Sequence, residues 1–213
     1  MTKAVLFDLD GTLTNTLTDI ANAMNGALAQ YGLPGWREDE YRYLVGNGAK
    51  VLAQRAVRER QELAEPVRAA YQARYEVHCM DLTRPYAGIP ELLRALNERE
   101  IPVCVLSNKP DADSRHVVAH FFPEIDFACV RGQIPGVPVK PDPSAALAIA
   151  ESLAIAPADF LYLGDTAVDM TCARAAGMHP VGVLWGFREE KELVDSGAEL
   201  LIREPLELLE HIG

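Results

Sequence analysis

Apolar runs of strand length alternate with stretches of helical periodicity along most of this chain. The first run, Val5-Leu6-Phe7, breaks abruptly into Asp8, Leu9, Asp10, Gly11 and Thr12. That transition reads as a buried parallel strand opening into a turn at its C-terminal end. Further strands are predicted at residues 101–106, 127–130, 160–163, 181–184 and 199–202. Between them apolar residues recur at helical spacing over 88–98, 111–119, 144–153, 168–176, 189–196 and 206–211. Strands alternating with helices imply right-handed crossovers and a parallel sheet covered on both faces.

One region departs from this rhythm. From 18 to 31 the apolar positions Ile20, Met24, Ala27, Leu28 and Tyr31 fall on one helical face, and Gly32-Leu33-Pro34-Gly35 ends the helix. Helical stretches follow at 48–60 and 65–78, with nothing strand-like between residues 14 and 82. The expected organisation is an α/β core made of residues 1–14 and 83–213, interrupted by an all-helical unit over 15–82.

Composition narrows the function classes. The chain has 213 residues and a formal net charge of −11, enough length to bury a sizeable core. The acidic balance argues against a nucleic-acid or anionic-membrane surface, which needs clustered Lys and Arg. Cys79, Cys104, Cys129 and Cys172 are widely spaced without a C-x-x-C pair, the usage of reduced, buried thiols. With no apolar run of membrane-spanning length and no basic-then-apolar leader after Met1, the expected location is the cytoplasm. Nothing in the pattern separates a monomer from a dimer.

Chemistry collects at the strand ends, where open α/β sheets place their ligands. Asp8 and Asp10 share a face if the strand continues past Phe7. Two carboxylates at ~4 Å repel by roughly 4 kcal/mol at an effective dielectric near 20, which calls for a compensating cation or proton. A divalent, oxygen-preferring ion is the simplest answer, and Mg²⁺ is usual beside phosphate. Ser107-Asn108-Lys109 follows the strand at 101–106, a hydroxyl and backbone amides that would lead into a helix and suit a phosphoryl oxygen. Lys140 precedes Pro141-Asp142-Pro143, and Gly164-Asp165 ends another strand, with Asp169 one helical turn on.

Asp8-x-Asp10-Gly11-Thr12, Ser107, Lys140 and Gly164-Asp165-x₃-Asp169, in this order, resemble the four signatures of the haloacid dehalogenase superfamily of phosphotransferases. The match runs through the whole core, and the helical insertion lies where subclass I members carry a cap. The resemblance implies a Rossmann-like core and a Mg²⁺-dependent phosphomonoester hydrolase acting on a small-molecule phosphate ester. By that likeness Asp8 is the nucleophile that becomes an aspartyl phosphate. Asp10 is the acid and then the base, and its carbonyl joins Asp8, Asp165 and Asp169 around the metal. Lys140 adds positive charge, while Ser107, Asn108, Gly11 and Thr12 hold phosphoryl oxygens. The superfamily's dehalogenases lack the second aspartate of the first signature, so Asp10 argues for phosphate chemistry. Asn15-Thr16 stands where many members have Asp-Ser, a conservative departure.

Substrate choice would belong to the insertion. Gly46-Asn47-Gly48 with Lys50 and Arg55 is similar to the cap loop of phosphoglycolate phosphatases, which makes 2-phosphoglycolate the leading substrate. The same stretch also reads as a plain glycine-rich helix start. Trp185-Gly186-Phe187-Arg188 resembles a stretch common in these phosphatases, with Arg188 expected to be a surface or loop-packing residue and not a ligand. Other chemistries remain compatible with this core: a phosphosugar mutase, a pyrophosphatase or nucleotidase, and, from a different class, a non-catalytic phosphate-sensing protein.

Overall fold

The computed structural model describes residues 2–212, and its chain divides into two compact units, residues 1–14 with 85–213 and residues 15–84. The larger unit is built on a six-stranded sheet with spatial order β5-β4-β1-β6-β7-β8, comprising β1 (Ala4–Phe7), β4 (Val103–Pro110), β5 (Phe127–Gln133), β6 (Phe160–Gly164), β7 (His179–Val183) and β8 (Leu200–Ile202). Every pairing is parallel, and β1 sits between β4 and β6 with Val5 opposite Val103 on one side and Leu161 on the other. The chain winds outward from β1 through β4 to β5, then returns to β6 and winds the opposite way. Such a reversal leaves a crevice at the C-terminal ends of the strands that flank it.

The strands form here because they are apolar on both faces, as a sheet covered on both sides requires. Ala4, Leu6, Cys104, Leu106, Phe160 and Tyr162 meet Ala145, Ala146 and Ile149 of α7 (Ser144–Ser152) and Cys172 and Ala173 of α8 (Ala167–Ala176) in one buried cluster. Alternation turns Val5, Phe7, Val103 and Val105 to the opposite face, where α5 (Ile89–Glu98) buries Ile89, Leu92, Leu93 and Leu96. The helix α6 (Asp111–Phe121) packs on β4 and β5, and the short α9 (Glu190–Asp195) lies against β7.

Two expectations are corrected. Strand β4 runs to Pro110 instead of ending at Leu106, so Ser107, Asn108 and Lys109 lie in extended backbone and α6 starts only at Asp111. Beyond a register shift, Pro110 pairs with Gln133 of β5, which keeps the segment in the sheet. The stretch expected to be an α-helix near the C-terminus is a 3₁₀ helix over Pro205–His211. Its buried positions, Pro205 and Leu208, are three apart, and side chains at that spacing eclipse on a 3₁₀ turn.

The smaller unit is helical: α1 (Leu17–Gln30), α2 (Tyr41–Leu44), α3 (Gly48–Ala56) and α4 (Ala64–His78). Helix α4 packs on α1 and α3, burying Val67, Tyr71 and Tyr75. Asn25 of α1 accepts from Trp36 N (2.9 Å) and Tyr41 OH (2.7 Å), tying down the connection to α2. Asp19 accepts from the backbone N–H groups of Leu82 (3.0 Å) and Thr83 (2.8 Å) and from Thr83 Oγ1 (2.8 Å). The short strands β2 (Thr14–Asn15) and β3 (Arg84–Pro85), where the chain passes between the units, pair as a two-stranded sheet. No helix among the described residues is long and apolar enough to cross a membrane.

Candidate active site

Strand β1 ends at Phe7, and Asp8 continues its line by donating its N–H to Leu163 O at 2.9 Å. The chain then turns: the N–H groups of Leu13 and Thr14 both return to Leu9 O at 3.0 Å, and Gly11 takes a φ of 93° that favours glycine. A Cβ on Gly11 would fall within 2.8 Å of Asp165 Oδ1, so the glycine also lets the carboxylate of Asp165 approach the turn. Thr12, fully buried, donates from Oγ1 to Asp165 Oδ1 at 3.3 Å.

Asp165 follows β6, and α8 begins just beyond it. Thr166 and Asp169 form a capping box at the start of α8, with Asp169 Oδ2 accepting from Thr166 Oγ1 at 2.7 Å and from Thr166 N at 3.2 Å. The other oxygen of Asp169 faces Lys140 at 2.7 Å. Lys140 Nζ also forms an ion pair with Asp8 Oδ1 at 2.7 Å and donates to Leu106 O at 3.0 Å. Asn108 fixes the lysine from behind: its side-chain amide accepts from Lys140 N at 2.8 Å and donates to Lys140 O at 3.0 Å.

Asp8, Asp165 and Asp169 are all buried, and one carboxylate oxygen of each lies within 4.8 Å of the others. Burial, reinforced by Asp169 and Asp10, pushes Asp8 up to about 7 even though Lys140 pulls the other way. Burial and the two neighbouring carboxylates push Asp165 far above the usual carboxylate range. Burial alone would lower Lys140, yet Asp169 and Asp8 outweigh it and hold the ammonium above its ordinary value. One lysine cannot neutralise three enclosed carboxylates. The donor set is hard oxygen, acidic and dry, and it fits a divalent cation such as Mg²⁺. The carboxylate of Asp10 stands outside this cluster, in an ion pair with Lys109 at 2.7 Å.

Of the residues singled out in the sequence, Asp8, Asp10, Gly11, Thr12, Ser107, Asn108, Lys140 and Asp165 lie at the C-terminal edge of β1, β4 and β6 or in the loops beside it, and Asp169 in the first turn of α8. Ser107 is buried, and its Oγ accepts from Lys109 N at 3.2 Å. Gly46, Asn47, Gly48, Lys50 and Arg55 form a separate group in the helical unit. Gly46 and Gly48 have φ of 107° and 80°, so the loop does need its glycines. Arg55 turns back onto that loop, donating to Leu44 O and to Asn47 Oδ1, each at 2.9 Å.

Three contributors have no role in the site as read from the sequence. Lys109 carries no periodicity signal. Thr166 could have been found as the first residue of a T-x-x-D capping box. The third is the stretch 185–188: the backbone N–H of Phe187 donates to Asp165 Oδ2 at 2.8 Å and the indole Nε1 of Trp185 to Thr12 O at 3.0 Å. Arg188 is buried and not at the surface; it pairs with Glu192 at 3.2 Å, and Glu192 in turn accepts from Ala167 N at 3.1 Å.

Comparison with known proteins adds an independent line. Residues 5–183 match the family model of the haloacid dehalogenase-like hydrolases. An N-acetylmuramic acid 6-phosphate phosphatase of Pseudomonas aeruginosa is 32% identical, covering 98% of this chain and 93% of its own. A phosphoglycolate phosphatase of Mannheimia succiniciproducens is 29% identical over 97% of this chain and 96% of its own. The crystal structure of a predicted phosphoglycolate phosphatase from Haemophilus somnus superposes with a TM-score of 0.92 at 26% identity, covering 100% of this chain and 98% of that one.

Proposed function

This chain belongs to the haloacid dehalogenase-like hydrolases and is a hydrolase of phosphate monoesters, and from that premise we propose a Mg²⁺-dependent reaction through an aspartyl phosphate on Asp8. The observation that carries the reading is the buried, acidic cluster of Asp8, Asp165 and Asp169 around Lys140. Asp8, Asp165 and Asp169 would hold the ion with the backbone carbonyl of Asp10, and once bound it supplies positive charge to the transferring phosphoryl group. With that charge beside it Asp8 would be favoured in its ionised form, the form in which the carboxylate is a nucleophile.

An oxygen of Asp8 bonds to phosphorus as the ester P–O bond breaks, and the carboxyl proton of Asp10 goes to the departing oxygen. Water then adds to phosphorus, its proton passes to the Asp10 carboxylate, and inorganic phosphate leaves with Asp8 restored. The second step thereby returns Asp10 to the form the first requires. Lys140 balances the negative charge gathered at phosphorus. The Ser107 hydroxyl, the Asn108 N–H and the turn at Gly11 and Thr12 hold the remaining phosphoryl oxygens.

Residues 15–84 act as the cap that selects the ester, and 2-phosphoglycolate is the substrate we favour. The Gly46-Asn47-Gly48 loop supports this, because its left-handed glycines can turn backbone N–H groups toward a small carboxylate while Lys50 adds charge. A second reading has its own support in the 32% identical relative named for N-acetylmuramic acid 6-phosphate. That sugar also bears a carboxylate apart from its phosphate. Release of inorganic phosphate is measured from 2-phosphoglycolate, N-acetylmuramic acid 6-phosphate, glucose phosphates, pyrophosphate and nucleotides, with Mg²⁺ and with chelator. The expected result is Mg²⁺-dependent release, fastest from 2-phosphoglycolate. A preference for the muramic ester would replace the substrate and leave the chemistry intact, whereas undiminished release in chelator would remove the metal from it.

A further inference from the structure

Lys109 stands outside the four signatures, yet its environment is unusual for a lysine. Its side chain is 4% exposed, and its ammonium donates to both carboxylate oxygens of Asp10, at 2.7 Å and 2.9 Å. Burying an ammonium is costly unless it is paired and hydrogen-bonded, so the contact with Asp10 sets where this side chain must sit. The backbone explains how the two meet. Strands β1 and β4 are hydrogen-bonded neighbours with Phe7 opposite Val105, and β4 continues to Pro110. Asp10 and Lys109 therefore emerge a few residues past that pair, side by side at the sheet's edge. The extra length of β4 puts the lysine on a rigid element.

Two-point contact also restricts the carboxylate. A side chain held through both oxygens loses freedom to rotate, and this one is held apart from Asp8, Asp165 and Asp169. Were Asp10 free to swing into that cluster it would add a fourth carboxylate to an enclosure already overloaded with negative charge. It would also be unavailable to an incoming water. We propose that Lys109 is a positioning residue for Asp10: it holds the ionised carboxylate where it accepts the proton of the water that attacks the phosphorylated enzyme. The proposal rests on the reading of Asp8 as nucleophile and Asp10 as acid and base. In balanced form, the phosphoaspartyl bond breaks as water's oxygen bonds to phosphorus, and water's proton passes to Asp10. Lys109 neither gains nor loses a proton.

The test separates the two half-reactions. With p-nitrophenyl phosphate the leaving group departs without needing a proton, so loss of the Asp10 base slows only the second step. In Lys109→Met with Mg²⁺, rapid mixing should show a burst of nitrophenolate equal to the enzyme present, then a steady rate at least about tenfold below wild type, the low end of what a positioned base contributes. KM for the ester should fall along with kcat as the intermediate accumulates. Placing Lys109→Met in an Asp10→Asn background should cost nothing further, because no base remains to be positioned. Slowing without a burst, an unchanged rate, or a further loss in the Asp10→Asn background would each overturn the proposal. Lys109→Gln, which keeps an uncharged NH₂ donor group, gives the same readout with a smaller burst should methionine at this buried position prevent folding. Failure of the underlying reading looks different: Asp8→Asn would then still turn over with Lys109 intact.

Discussion

Asp8 is held near 7 in the folded protein by burial and by Asp169 and Asp10, against about 3.8 for an ordinary aspartate. The metal-free folded chain therefore binds that proton more tightly than the unfolded chain does. The resulting stability is complete below the unfolded value and is lost as pH rises through the folded one. Lys140, held above its ordinary value, stays charged throughout this window and adds no slope. In chelator the melting temperature is expected to fall between about pH 4 and about pH 7, and Mg²⁺ should restore it. Asp8→Asn should abolish turnover, make the pH dependence shallower while Asp165, also raised by burial, keeps its share, and raise the metal-free melting temperature at the alkaline end, by the order of a few kcal/mol of stability. A metal-free profile with no slope, or one rising with pH, would contradict this. The thiols give a second test at the same scale. Burial pushes Cys104 up to about 12 and Cys172 up to about 11, so neither should react with iodoacetamide in the native protein at neutral pH, and both should after unfolding. Rapid native labelling of Cys104 would contradict the packing of β4.

At the scale of elements, the loop over 185–188 matters because it reaches Asp165 through backbone. A Cβ on Gly186 would lie 2.6 Å from Gly11 O and 2.8 Å from the Asp165 carboxylate carbon. Neither backbone oxygen nor a hydrogen-bonded carboxylate can yield without shifting the site. Gly186→Ala should leave the fold intact and lower kcat by about a hundredfold, the effect of a displacement near 1 Å at a reacting centre; comparison of kcat with circular dichroism checks it. In the helical unit, Asp19 gathers the N–H groups of Leu82 and Thr83 onto α1. Asp19→Ala strands buried donors and should cost about 1–3 kcal/mol, read from urea denaturation; a loss well below that range would mean water replaces the carboxylate.

Across the whole molecule, the parts that could be read in the sequence are those governed by periodicity. The parallel sheet was readable because β1, β4 and β6 are apolar on both faces and stop abruptly at polar residues. Those abrupt stops also marked the sheet edge where Asp8, Lys140 and Asp165 gather. Periodicity failed where the structure depends on neighbours distant in the chain. The apolar signal of β4 ends at Leu106, yet pairing with β5 carries the strand to Pro110. Lys109 became visible only once that extension brought it to Asp10. The hold of Phe187 on Asp165 is a backbone contact that any residue type could make. The 3₁₀ helix at Pro205–His211 has too few buried positions for a 3.0 period to be told from a 3.6 one.

The proposed reaction depends on a covalent bond between phosphorus and the side chain of Asp8. The most direct measurement is to quench the enzyme during turnover with Mg²⁺, reduce it with borohydride and identify the modified residue by peptide mass spectrometry. The account predicts reduction of an acyl phosphate at Asp8, absent in Asp8→Asn. Phosphate on another residue, or continued turnover with Asp8 never modified, would contradict it.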